Sequence, residues 1–328
     1  MPKVALLGLP AVLVAVLLCG CLSQPSSTLS PTGEDRAPPA ILQSAEYEVA
    51  ETLTLVNEGA GQPSKQNVWM ALIRDVPPYQ TIRSMEITPD DYRVIVDEHG
   101  NRYAEFDLDM PPGEIVEIRL AYQVVVYEVA YDLADCTGDM PAEYTQAELH
   151  IESNNVQITE LSQELSEGKT ACEQVRAFYD YVGNHLVYSF NGADWGAQAS
   201  LGEMGADCTE YASLMIALSR AAGIPARYME GLWARGETAP DDAHTEHAWL
   251  EVYLPGVGWT PMDPTLGRSS VSREEYFAHL PPDHIIVTVG RNPSTLRGAS
   301  YWTHLYWPGK STEIRVEGFE WAISPIGE

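Results

Sequence analysis

The sequence predicts an α+β protein in which a strand-rich N-terminal part precedes a part that mixes helices with strands. Residues 45–130 contain short apolar runs separated by turn residues, a pattern typical of a β-sandwich. Residues 171–187 and 207–223 place apolar residues at helical spacing. Beyond Pro225 the chain returns to strand-like alternation, which predicts further strands after the second helix. Besides the strand that starts at His247, these are Ala226–Trp233, His284–Val289 and Glu313–Trp321.

Length and charge limit the classes of protein to consider. The chain has 328 residues, enough for two domains at roughly 100–200 residues each. It carries 19 Lys and Arg against 47 Asp and Glu, a formal net charge of −28. Because nucleic-acid binding depends on cationic contacts to phosphates, we expect no nucleic-acid partner. An acidic surface of this kind favours solubility.

The N-terminus predicts export. Lys3 precedes an uninterrupted apolar run over residues 4–18, which ends before the Cys-Gly-Cys of residues 19–21. A positive charge, an apolar core and a small residue, in that order, are typical of a signal peptide. The run is shorter than the about 20 residues that a membrane-spanning helix needs.

Residues 18–21 (Leu-Cys-Gly-Cys) resemble a lipobox, in which the last cysteine carries lipid. This resemblance implies that residues 1–20 are a signal peptide and that Cys21 is the lipidation site. An uncleaved signal anchor is the alternative. Residues 21–40 are rich in Ser, Pro and Thr and are expected to form a flexible tether. Either alternative predicts a membrane-anchored protein on the extracytoplasmic face of the cell surface.

The remainder is expected to divide into a β-rich domain over residues 41–150 and a second domain over residues 151–328. The first contains no cluster of catalytic residue types, so we expect a packing or recognition role for it. Its clearest predicted strands are Glu46–Val56, Val68–Ile73, Tyr92–Val96 and Ile115–Tyr127.

The second predicted helix carries a cysteine at its start. Asp207 and Glu210 have the spacing of a capping box, and Gly223 is a suitable C-terminal stop. Cys208 therefore lies at or next to the first helical position. The unpaired N–H groups of a helix N-terminus stabilise a thiolate, which is the nucleophilic form of cysteine.

A histidine and an aspartate follow on a predicted hairpin. His247 begins an alternating strand that runs to Leu254, and a Pro-Gly turn leads to a second strand ending at Asp263. A histidine beside a cysteine serves as general acid, and an aspartate can orient the imidazole. The apparent register leaves His247 and Asp263 a few residues from facing each other.

Four segments resemble the transglutaminase-like core in order and spacing. They are residues 205–212 (Gly-Ala-Asp-Cys-Thr-Glu-Tyr-Ala), 220–227 (Arg-Ala-Ala-Gly-Ile-Pro-Ala-Arg), 247–253 (His-Ala-Trp-Leu-Glu-Val-Tyr) and 258–265 (Gly-Trp-Thr-Pro-Met-Asp-Pro-Thr). The resemblance covers about residues 155–290. It implies a papain-like fold in which the helix bearing the cysteine packs on an antiparallel sheet. It also implies a triad formed by Cys208, His247 and Asp263.

The resemblance implies thiol acyl chemistry. We expect a hydrolase or transferase that acts on peptide, protein or cell-wall amides, with no cofactor and no metal. The backbone N–H of Cys208 is expected in the oxyanion hole, and Tyr188 and Trp195 are candidates for a second donor. The alternative is a surface binding or scaffolding protein whose transglutaminase-like core no longer catalyses.

The remaining cysteines suggest a disulfide. Outside the cell disulfides persist, and an odd cysteine suggests a free reactive thiol. If Cys208 is that thiol, Cys136 and Cys172 are left to pair. Two separate buried thiols are the alternative, because the sequence does not give the distance between them.

Overall fold

The fold is described from a computed structural model, which covers residues 38–61, 67–134, 136–202, 205–234, 245–296, 304–307 and 313–327. The expected signal peptide (residues 1–20), the lipidation site Cys21 and all but the last residues of the expected tether lie outside these residues. In the part of the chain that is described, no helix is both long enough and apolar enough to cross a membrane.

Thirteen strands and four α-helices are described within these ranges. The strands are β1 Ala40–Asn57, β2 Asn67–Leu72, β3 Gln80–Thr88, β4 Arg93–Val96, β5 Arg102–Asp107, β6 Ile115–Ala130, β7 Ala226–Trp233, β8 Glu246–Leu254, β9 Gly258–Met262, β10 His279–Leu280, β11 His284–Val289, β12 His304–Trp307 and β13 Ile314–Pro325. The helices are α1 Val156–Ser166, α2 Ala171–His185, α3 Gly196–Ala199 and α4 Cys208–Ala221.

The N-terminal part is a β-sandwich, as the sequence predicts. One sheet has β6 and β1 at its centre, flanked by β3, β13 and the short β10, and the other has the order β12-β2-β5-β4. Alternate residues of β1 face a core that both sheets share. This core includes Val49, Leu53, Val68, Phe106 and Leu120. The period-two pattern of β1 and β6 thus predicts the buried face correctly.

The C-terminal strands complete the sandwich. The last strand, β13, pairs with β1 over its whole length, from Tyr47 opposite Pro325 to Asn57 opposite Ile314. Strand β12 pairs with β2. From the sequence, β12 and β13 are expected to belong to the second domain, because a local pattern does not reveal a partner more than 200 residues away. The boundary at residue 150 stays a prediction, since residues 36–328 form one compact unit.

The second part is a four-stranded antiparallel sheet of order β11-β7-β8-β9 with helices packed on one face. The central helix is α4, which contacts β7, β8 and the other three helices. Its apolar residues share a core with α2 and with Ala248, Leu250, Val252 and Leu254 of β8. This arrangement confirms the predicted helix packed on an antiparallel sheet.

The other face of this sheet is also buried. Trp249 of β8 packs with Met229 and Ile286 and with Val76 and Tyr79, which come from the N-terminal part. The polar residues that alternate along β8 are therefore not solvated. They must find partners in the interior.

Cys136 and Cys172 form a disulfide with a Cα–Cα distance of 6.0 Å. Cys172 is the second residue of α2, so the bridge ties the segment after β6 to that helix. Among the described cysteines, Cys208 is the free one.

Candidate active site

Capping of α4 fixes the position of Cys208. The Asp207 carboxylate accepts a hydrogen bond from the Thr209 N–H at 3.1 Å, and the Asp207 N–H donates to Glu210 at 2.9 Å. This reciprocal pair is the capping box that the sequence predicts. Cys208 is thereby the first residue of α4, and it is half-buried. Its side chain lies at the positive end of the helix dipole.

His247 and Asp263 form a buried pair. His247 Nε2 lies 2.6 Å from Asp263 Oδ2, and both side chains are almost wholly shielded from solvent. Asp263 directly follows β9, where its Oδ1 accepts the backbone N–H groups of Thr265 at 2.8 Å and Leu266 at 3.0 Å. The register pairs Leu250 with Met262, so the two side chains meet diagonally across the hairpin.

The charge of Asp263 acts on His247. Burial by itself would lower the pKa of His247, but the Asp263 carboxylate and its hydrogen bond raise it to about 9. The interaction of His247 with Cys208 adds to the increase in the pKa of His247. In return, His247 holds the pKa of Asp263 below its usual range despite its burial. The structure thus brings together Cys208, His247 and Asp263, the three residues predicted from the sequence.

A second histidine contacts the same carboxylate. His284 Nε2 lies 3.2 Å from Asp263 Oδ2, and His284 Nδ1 lies 2.7 Å from Asp283 Oδ1. From the sequence, His284 is expected only as the first residue of a strand. The available signal was a histidine preceded by an acidic residue and followed by the apolar run Ile285–Val287, but that pattern does not reveal what faces it.

The comparisons with known proteins agree with this geometry. The family model of the transglutaminase-like superfamily matches residues 159–264. That segment contains the cysteine-bearing helix, the histidine strand and the aspartate. Residues 159–264 form a transglutaminase-like core. Its fold is that of a family of thiol enzymes.

A solved structure shows the same fold over most of the chain. A proposed cysteine protease from Cytophaga hutchinsonii superposes with a TM-score of 0.64 at 16% sequence identity. The match covers 88% of this chain and 93% of that protein. The likeness therefore extends beyond the transglutaminase-like core to the sandwich.

Two curated proteins match part of the chain. The uncharacterized protein YebA of Bacillus subtilis (strain 168) is 30% identical over 112 residues, 29% of this chain and 15% of that protein. A protein-glutamine gamma-glutamyltransferase of Pseudomonas aeruginosa is 41% identical over 64 residues, 18% of this chain and 9% of that protein. The chain thus spans under a sixth of the length of either curated relative.

His247 and Asp263 lie too close together to be two ligands of one metal ion. The ligand atoms of His247, Asp263 and His284 lie within 4.8 Å of one another. A tetrahedral Zn²⁺ with bonds of about 2.0–2.1 Å would hold its ligand atoms about 3.3 Å apart. The 2.6 Å separation between His247 Nε2 and Asp263 Oδ2 instead fits a hydrogen bond, and we assign no metal to these residues.

The segment that precedes α4 contacts the first turn of that helix. The Trp195 N–H donates to Glu210 at 2.9 Å, and the indole is about half-exposed at 47%. Asp194 forms an ion pair with the buried Arg291, which follows β11. Tyr188 is half-buried, and the Arg268 guanidinium carbon lies 4.8 Å from the centre of its ring. The role of Tyr188 or Trp195 as an oxyanion donor stays a prediction.

The histidine strand of the transglutaminase-like core is closely packed. His247 faces Gly231 of β7 and stacks against Trp249 with ring centroids 5.9 Å apart. A Cβ on Gly231 would overlap the Ile285 carbonyl oxygen of β11 and approach the Trp249 ring. Because β11 and the Trp249 ring approach β7 this closely, a glycine is needed at position 231, opposite His247.

Proposed function

We propose that the protein is a thiol enzyme that cleaves or transfers acyl groups at peptide or protein amide bonds, with Cys208 as nucleophile. The observation that carries this proposal is the buried contact of 2.6 Å between His247 and Asp263 beside the first residue of α4. Each of the three residue types has a separate role in thiol acyl transfer.

Asp263 acts by orientation. It accepts a hydrogen bond from the Nε2–H of His247, which leaves Nδ1 as the ring nitrogen that can exchange a proton with Cys208. Its carboxylate also accepts two backbone N–H groups, from Thr265 and Leu266, which fix its plane. With its pKa held low, Asp263 stays ionised and favours the imidazolium form of His247.

The reaction proceeds in two halves. The Cys208 thiolate attacks the amide carbonyl carbon, and the His247 imidazolium gives its proton to the departing amine as the C–N bond breaks. A thioester to Cys208 remains. Water or a second amine then attacks this thioester and gives a proton to His247, and the thiolate leaves. The first acceptor gives hydrolysis and the second gives transamidation.

The developing oxyanion needs donors near Cys208. The backbone N–H of Cys208 belongs to the unpaired first turn of α4 and is the first candidate. Trp195 and Tyr188 lie on the segment that precedes that turn and are the candidates for the second donor.

We place the enzyme on the extracytoplasmic face of a membrane. Two observations support this location. The sequence of residues 1–21 has the order of an export signal ending at Cys21. Cys136 and Cys172 form a disulfide, a bond that persists in oxidising compartments. Peptides, proteins and cell-wall amides are the substrates accessible there.

A substrate screen tests the proposed function. Wild type and Cys208→Ala would be incubated with peptides and cell-wall fragments, with and without an added primary amine, and the products measured by mass. We expect wild type to release an amine from at least one amide, and Cys208→Ala to release none. Incorporation of the added amine distinguishes transfer from hydrolysis. Equal turnover by the two proteins would refute the role of Cys208, and binding without turnover would favour the scaffolding alternative.

A further inference from the structure

His284 lies between two carboxylates in the interior. Its Nε2 lies 3.2 Å from Asp263 and its Nδ1 lies 2.7 Å from Asp283. The side chain has no exposed area. Asp283 in turn accepts a hydrogen bond from the Trp233 indole at 2.9 Å. The contacts thus run from Trp233 through Asp283 and His284 to Asp263.

This placement fixes the protonation of His284. An ionised carboxylate only accepts hydrogen bonds, so an imidazole between two of them must donate from both nitrogens. A ring that donates from both nitrogens is an imidazolium. Burial would lower the pKa of His284, but the charges of Asp283 and Asp263 raise it to about 9. The same contact lowers the pKa of Asp283, although burial opposes this.

The groups around His284 keep this cation in place. The rings of Trp249 and His247 both pack edge-to-face with the His284 ring, with centroid distances of 4.9 Å for Trp249 and 5.6 Å for His247. The Tyr276 ring, from the segment before β10, lies at 6.0 Å. Water is excluded on these sides, so Asp263 and Asp283 are the groups that satisfy the charge.

Asp263 is therefore held by four donors. Backbone N–H groups of Thr265 and Leu266 bind Oδ1, while His247 and His284 share Oδ2. The two carboxylates and His284 together carry one negative charge, which balances a protonated His247. With an apolar residue in place of His284, Oδ2 would lose a donor, and the buried Asp263 and the partly buried Asp283 would lose their shared cation.

We propose that His284 is a positioning residue of the active site, a buried imidazolium that orients Asp263 toward His247. This positioning role rests on the proposed function, because His284 acts on Cys208 through Asp263 and His247. His284 itself does not touch the reacting thiol. Its contribution is to keep Oδ2 in the plane from which it accepts the His247 Nε2–H.

Two near-isosteric substitutions separate the two contacts of His284. In His284→Gln the amide nitrogen replaces Nε2 and keeps a donor to Asp263. In His284→Asn it replaces Nδ1 and keeps a donor only to Asp283. His284→Leu removes both. His279→Leu is the matched control, because His279 contacts a carboxylate, Glu128, at 2.8 Å outside the Asp263 array.

The first readout is the rate of Cys208 alkylation by iodoacetamide between pH 5 and 9 for each variant, with His247→Ala as reference. We expect the alkylation rate of Cys208 at pH 6.5 to fall at least about tenfold in His284→Asn and His284→Leu. A loss of this size is the effect of one hydrogen bond to a charged group. His284→Gln and the control should stay within about threefold of wild type. Equal behaviour of the Gln and Asn variants, or retention by Asn alone, would overturn the positioning role.

The second readout does not depend on activity. In protein labelled with ¹⁵N-histidine, both ring nitrogens of His284 should give the shifts of a protonated imidazolium at pH 7. A neutral ring with one bare nitrogen would overturn the proposal even if the variants do not fold. If wild-type Cys208 alkylates no faster than in His247→Ala, the proposed function fails, while a doubly protonated His284 would still support its bridging of Asp263 and Asp283.

Discussion

Replacing Asp263 by asparagine should lower the pKa of His247 from about 9 to below its ordinary value of about 6.5. The carboxylate 2.6 Å from Nε2 favours the imidazolium, whereas burial favours the neutral ring. Without the carboxylate, burial is opposed only by the smaller contribution of Cys208. The difference between about 9 and 6.5, at about 1.4 kcal/mol per pKa unit, corresponds to about 3 kcal/mol of preference for the imidazolium.

The same shift predicts a pH dependence of stability. A pKa that is higher in the folded protein than in the unfolded chain means that the folded protein binds the proton more tightly. The stabilisation is therefore complete below about pH 6.5 and is lost as the pH rises through about 9. Wild type should lose up to about 3 kcal/mol of unfolding free energy from His247 over this window, and Asp263→Asn should lose none of it.

Titration of the histidine Cε1–H resonances between pH 5 and 10 measures the pKa of His247 in both proteins. Urea denaturation at pH 6.5 and 9 measures the stability. The resonance of His279, which contacts Glu128 outside the site, should be unaffected by the substitution and serves as the internal control. A His247 pKa that stays near 9 in Asp263→Asn would refute the reasoning, because a group other than Asp263 would then stabilise the imidazolium.

Three further predictions concern the framework of the site. Replacing Cys136 and Cys172 together by alanine should lower the unfolding free energy by about 4 kcal/mol, since the bridge closes a loop with a sequence separation of 36 residues; urea unfolding checks this, and an unchanged midpoint would contradict it. Gly231→Ala should cost several kcal/mol and reduce activity, because the new Cβ overlaps the Ile285 carbonyl; a wild-type melting temperature would show that β7 can move freely. Glu51→Gln should stabilise the sandwich at pH 8 and not at pH 4.5, because burial raises the pKa of a carboxyl whose oxygens lack hydrogen-bond partners, so the wild-type stability falls as the pH rises through that pKa; equal stability changes at both pH values would refute this.

Local patterns in the sequence predict the core elements well. The capping box at Asp207 and the stop at Gly223 predict α4 to within about a turn. The strand predicted over Ala226–Trp233 is β7, and the one predicted over His284–Val289 is β11, with the same bounds. These signals are short-range, because caps and alternation depend on neighbouring residues. Helix α1 was missed, although Asn155 caps it.

The contacts that complete the site and the sandwich are long-range. His284 meets Asp263 because β11 pairs with β7 in the same sheet as β8 and β9, a pairing that the residues around His284 do not encode. Strand β13 alternates like any strand, but its partner β1 lies at the other end of the chain. Sequence patterns give the face of a strand but not its neighbour, so the role of His284 needed the structure.

The position of a trapped acyl group tests the central claim most directly. Wild type and His247→Ala would be mixed with an amide substrate found in the screen, quenched in acid after a short time, and digested for peptide mapping by mass. We predict an added mass equal to the acyl half of the substrate on the peptide that contains Cys208 in wild type. Little or none should form in His247→Ala. An acyl group on any other residue, or turnover at the wild-type rate by Cys208→Ala, would contradict the account.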